Sequence, residues 1–164
     1  MSARVQYILI LGAMMLLSQL ALSVSGFILG MQDLSYDNEA NLAATSLAQS
    51  VLREVAAKNF DELTINKKVV STDSLTTVAS LGPDLGETYP AFDDLDDFNG
   101  HTRTIATDRL GDFTVNVTVN YTTSALLGAP SGTRTFLKAA IVTIYGNPYL
   151  AQNQNVVMNT IVSY

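Results

Sequence analysis

The chain's most constraining feature is an uncharged stretch: from Val5 to Gln32 there is no Asp, Glu, Lys, Arg or His, and Tyr7 to Gly30 is dominated by Ile, Leu, Met, Ala and Val. A helix crossing a hydrocarbon core of ~30 Å needs about 20 apolar residues, so this stretch predicts a membrane-spanning helix. Arg4 precedes it, and Asp33, Asp37 and Glu39 follow. That asymmetry leaves the N-terminus cytoplasmic and exports everything beyond residue 33. The small residues Ser23, Ser25 and Gly26 also fit a cleaved secretory signal. The apolar run continues past them through Phe27, Ile28, Leu29 and Met31, so a retained segment is expected.

A second pattern starts where the first ends. Ala40, Ala44, Leu47, Val51 and Val55 recur at steps of three and four, and Ala48 and Leu52 widen the same stripe, which predicts an amphipathic helix over Asn38–Asp61. Gln32 to Asn38 holds neither Pro nor Gly, so one helix of ~50 residues is expected, with a second helix capped by Asp33 or Asp37 as the alternative. The expected organisation is a long helical segment, 1–61, spanning the membrane or filling a filament core to about residue 31 and amphipathic beyond. A head, 62–164, follows.

In the head, Thr64 to Gly111 is punctuated by Ser, Thr, Asp, Gly and Pro, including Gly82-Pro83 and Tyr89-Pro90, and predicts a long irregular connection. Phe113 to Tyr121 alternates apolar residues with Thr and Asn, the period-two mark of a half-buried strand. Arg134–Tyr145 and Asn155–Tyr164 predict two more strands, separated by Gly146-Asn147-Pro148. Ser124 to Gly132 reads as an exposed connection. The fold class is therefore α+β: a long apolar-to-amphipathic N-terminal helix packed on a small antiparallel sheet.

Composition excludes several activities. Nine Lys plus Arg against fifteen Asp plus Glu give a net charge of −6, which opposes binding to nucleic acid. With no cysteine, disulfides, thiolate metal sites and thiol nucleophiles are excluded. His101 is the single histidine, in an expected exposed loop, so a two-His metal site within one chain is excluded and catalysis is not indicated. The densest oxygen cluster is Asp93, Asp94, Asp96, Asp97 and Asn99. Asp94, Asp97 and Asn99 are candidate calcium ligands, although Leu95 stands where the helix-loop-helix calcium template places its first Asp. A solvated acidic turn is the plainer expectation, and no other cofactor is indicated. Asn116-Val117-Thr118 and Asn120-Tyr121-Thr122 match the glycosylation acceptor pattern, and chance in a Thr-rich strand accounts for both.

The order of elements resembles that of type IV pilins and the pseudopilins of type II secretion. ATSLAQSVLREVAAKNFDE at Ala44–Glu62 resembles the helix end of minor pilin-like proteins, FDDLDDFNG at Phe92–Gly100 their acidic mid-chain segment, and the C-terminal NTIVSY fits as well. The family's processing Gly-Phe with Glu at the fifth mature position is absent: Gly26-Phe27 lies late in the apolar run, and no Glu precedes Glu39. The resemblance implies a non-enzymatic structural subunit of an extracellular filament at the cell surface. It implies copies of the chain itself, the membrane before assembly, and a pilus or secretion machinery as partners. The alternatives are a membrane-anchored exported domain that does not polymerise and a secreted binding domain with a cleaved signal.

Overall fold

In the computed structural model, residues 3–65, 67–150 and 154–164 are described. The first element, α1, is an α-helix over Ala3–Ala56. It runs through Gln32 to Asn38 without interruption, as a stretch free of Pro and Gly allows, so no second helix starts at Asp33 or Asp37. The chain divides into two compact units, Met1–Glu39 and Ala40–Tyr164.

In the first unit every described residue up to Tyr36 is solvent-exposed. Ser18, midway along the run, is satisfied locally: its Oγ donates to the Met14 carbonyl at 2.9 Å, the back-bonding a helix offers a polar side chain in an apolar setting.

In the second unit the helix buries Ala40, Ala44, Ala48, Val51, Leu52 and Val55. Three alanines four residues apart leave a shallow ridge, which lets the sheet approach closely. The facing side chains are Phe113, Val115, Val117, Val119, Ala140, Val142 and Ile144, and they form one core with the helix stripe. α1 ends at Ala56, five residues before the expected Asp61. The cause lies beyond the helix: the Asn59 N–H donates to the Asp93 carbonyl at 3.3 Å and the Leu95 N–H to the Asn59 carbonyl at 2.9 Å. The backbone there is committed to the 93–95 segment instead of to another helical turn.

The sheet is a four-stranded antiparallel meander, β1 (Thr102–Thr107), β2 (Gly111–Tyr121), β3 (Leu137–Tyr145) and β4 (Val156–Ser163), in that spatial order. The sequence predicts the last three; β1 lies inside the stretch expected to be irregular. It is a six-residue edge strand with three threonines and one large apolar residue, Ile105, so its alternation is faint. Gly111 opens β2 at φ +80°, a conformation a Cβ would strain.

Register places Val115 opposite Ile144, Val117 opposite Val142, Val119 opposite Ala140 and Tyr121 opposite Lys138, all on the face toward the helix. The outer face carries Thr102, Thr104, Thr114, Asn116, Thr118, Asn120, Thr143 and Asn159. Both sequon asparagines belong to it, and Asn116 Nδ2 donates to Thr102 Oγ1 at 2.9 Å.

Among the described residues, the connection between α1 and β1 contains four short 3-10 turns, Glu62–Thr64, Thr72–Ser74, Val78–Ser80 and Asp96–Phe98. It is anchored by a second apolar cluster of Phe60, Val69, Leu75 and Tyr121.

Candidate functional site

Two sets of residues stand out: large apolar side chains that are exposed, and charged side chains that are buried. The first set lies on α1, where Leu11, Leu16, Leu20, Leu22, Phe27 and Leu29 all present more than half of their surface to solvent. By length and composition this helix can cross a membrane. Its glycines leave flat places: a Cβ added at Gly12, Gly26 or Gly30 meets nothing within 4 Å. Such small positions allow backbones of neighbouring helices to approach.

The second set centres on Lys138, which is fully buried. The alternation of β3 puts it there: Lys138, Ala140, Val142 and Ile144 are the inward residues, so the first inward position carries a charge. Its ammonium uses all three donors, to the Phe60 carbonyl at 2.8 Å, Asp61 Oδ2 at 2.9 Å and Asp96 Oδ1 at 2.6 Å. The Phe60 and Tyr121 rings lie 4.6 Å and 4.9 Å from Nζ. The sequence reading passed over Lys138, although a lysine in phase with an apolar alternation was the available signal.

The two carboxylates are held differently. Asp61 also accepts from the Leu63 N–H, the Thr76 N–H and hydroxyl, and the Tyr121 hydroxyl. Burial pushes its carboxyl pKa up, but the hydrogen bond and charge of Lys138, with these amides, outweigh burial and hold it below the usual value. In Asp96 burial prevails over Lys138 and lifts the pKa to about 6. Its second oxygen, Oδ2, is buried and has no hydrogen-bond partner. The Tyr121 hydroxyl is driven upward by burial and by Asp61 and Asp96.

The acidic segment is not the solvated turn expected of it. Asp94, Asp96 and Asp97 are buried and only Asp93 is exposed. Their side chains fold back onto the chain: Asp94 Oδ1 accepts from the N–H groups of Asp96 and Asp97, and Asp97 Oδ2 from those of Asp93 and Asp94. Burial, then the charges of Asp96 and Asp97, lift the Asp94 pKa to about 7 against these amides. Of the candidate calcium ligands, Asn99 is engaged twice, donating to the Leu81 carbonyl at 2.9 Å and accepting from the Val119 N–H at 3.0 Å. The carboxylates that converge are instead those of Glu87, Asp93 and Asp97, with one oxygen from each within 4.8 Å of the others, a spacing that suits a hard cation.

His101 does not stand free in a loop. Its ring stacks on Tyr89 at 5.0 Å between centroids and meets Phe92 and Phe98 edge-on at 5.2 and 6.3 Å. Burial and the neighbouring Arg103 charge lower its pKa, against the pull of Glu54. Arg103 pairs with Glu54 at 3.0 Å and covers the Tyr89 ring at 4.6 Å, so this group pins the 89–92 segment onto β1 and α1.

Comparison of the chain with protein-family models, with curated proteins and with solved structures finds no match.

Proposed function

We propose that the chain is a structural subunit of an extracellular filament of the type IV pilus kind. It inserts in the membrane with its N-terminus inside, leaves the bilayer, and polymerises with copies of itself through the apolar part of α1. The observation that carries this reading is the wholly exposed run of large apolar side chains up to Met31, on a helix that continues without interruption into the stripe that closes the head's core.

An apolar helix stored in lipid can be withdrawn only if an equally apolar surrounding replaces the lipid, and neighbouring copies of the same helix supply it. The flat places at Gly12, Gly26 and Gly30 favour such packing.

The test is electron microscopy of sheared cell-surface material together with the mass of the recovered chain. Filaments built from this chain, and lost with Leu16→Lys or Leu20→Lys, are the expected result. A chain that stays in the membrane as a monomer would make it an anchored domain, and a soluble chain starting near Gly26 would make it a secreted one. Either result overturns the filament.

A further inference from the structure

We propose that Lys138 and Asp96 join covalently, in an amide between Lys138 Nζ and Asp96 Cγ that forms without any other protein, with Asp61 handling the proton. The inference stands apart from the filament reading and concerns the head alone.

Four observations converge. Nζ lies 2.6 Å from Asp96 Oδ1, so nucleophile and electrophile are already in contact, and both side chains are buried. Proximity of this kind replaces a bimolecular encounter with a small displacement along one direction. Asp61 Oδ2 touches the same nitrogen at 2.9 Å and is fixed by the Thr76 and Leu63 amides and the Tyr121 hydroxyl, so a proton acceptor stands beside the nucleophile. The rings of Phe60 and Tyr121 wall the nitrogen and keep water away. Asp96 Oδ2 is buried without a partner, so the carboxylate's charge is uncompensated on that oxygen, and condensation to a neutral amide removes that charge.

The step balances. The ammonium of Lys138 passes one proton to the Asp96 carboxylate it touches, leaving an amine against a neutral acid. The nitrogen lone pair attacks Cγ and the C–N bond forms. Asp61 takes a proton from the nitrogen and returns it to the departing Oδ1 hydroxyl, the oxygen that received the first proton, as the C–O bond breaks. One water leaves, nothing is oxidised or reduced, and Asp61 ends as it began. In bulk water two solvated ions resist this condensation. In a dry pocket the lost hydration costs the two ions far more than it costs a neutral amide, so the balance moves toward the bond.

The bond joins the Asp96–Phe98 turn to β3, closing a span of 42 residues. Chains without secretion-linked cysteine chemistry could gain the same constraint on the unfolded state that a disulfide gives.

The test is the denatured mass of the purified full-length chain, with both termini read directly so that processing is not mistaken for condensation. The expected mass is one water below that of the sequence, and proteolysis is expected to release a branched peptide holding Lys138 and Asp96. Lys138→Arg and Asp96→Ala are expected at full mass. Asp61→Asn keeps both partners and is also expected at full mass; an Asp61→Asn chain that still loses water would remove Asp61 from the proton transfer. Full mass in the natural chain after prolonged incubation while folded overturns the proposal. So does a lost water that maps to any other pair.

Discussion

The two compact units invert each other. Up to Glu39 the chain exposes what proteins usually hide, a run of Leu, Ile, Met and Phe; from Ala40 onward it hides what proteins usually expose, one lysine and four aspartates. The difference lies in where each group finds its partner. Lys138, Asp61, Asp94, Asp96 and Asp97 are answered within the fold by one another, by amides and by carbonyls, with Asp96 Oδ2 left over. The apolar side chains of the first unit have no such answer within it, and lipid or other helices would supply one. Exposure and burial are thus statements about the location of the complement, not about the residue type.

Several substitutions would break or sharpen that contrast. The largest effect is expected from Lys138→Met, which removes the nitrogen that Asp61 and Asp96 share, before or after the amide forms, and leaves both carboxylates buried without it. Removing one partner of a buried pair costs about 3–5 kcal/mol, and urea unfolding of the head would show it. Unchanged unfolding would mean that the charges are not held as described. Next comes Leu16→Lys, expected to cost about 2.5–3.5 kcal/mol of membrane residence while leaving head unfolding unaltered. Membrane partition and head unfolding, measured on the same variant, would separate the two units.

Overpacking the alanine stripe is expected to fall somewhat lower. Ala44→Leu forces extra volume between helix and sheet, at about 1–3 kcal/mol by thermal unfolding. The same change at Gly26, where a Cβ meets open space, is expected to leave head stability untouched and to act only on helix association.

The smallest effect concerns pH. Asp94 titrates at about 7 when folded and near its ordinary 3.8 when unfolded, so the folded chain binds the extra proton between these values. Its contribution is present below the unfolded value and is lost as pH rises through the folded one. A fall of a few degrees in Tm between pH 5 and pH 8 is expected, reduced in Asp94→Asn, whose amide oxygen can still accept from the Asp96 and Asp97 N–H groups. A Tm that rises over this range would contradict the burial assigned to Asp94.

Much of this was legible in the residues. The long helix follows from an apolar run joined to a three-four stripe without a breaker, and β2, β3 and β4 follow from alternation or apolar β-branched runs bounded by turn residues. β1 escaped because an edge strand buries little and so carries little pattern. The buried charges escaped for another reason: sequence shows that Asp93 to Asp97 are acidic, but not that Asn59 pairs with the same segment and draws it inward. A clue did exist at Lys138, whose position in the alternation already implied an interior cation and therefore interior carboxylates to meet it.

The outer surface of the sheet carries a further consequence. Across its four strands the outward positions hold threonines and asparagines interleaved with about as many apolar residues, and Asp112 is the one formally charged group among the paired positions facing that way. Although the chain has a net charge of −6, this surface is electrically quiet. Ionic strength, which screens charges over about 10 Å at 0.1 M, has little to act on there. Whatever meets this surface would meet it through short hydroxyl and amide dipoles and through apolar side chains such as Val157, Ile161 and Tyr145, at an approach distance that salt does not tune.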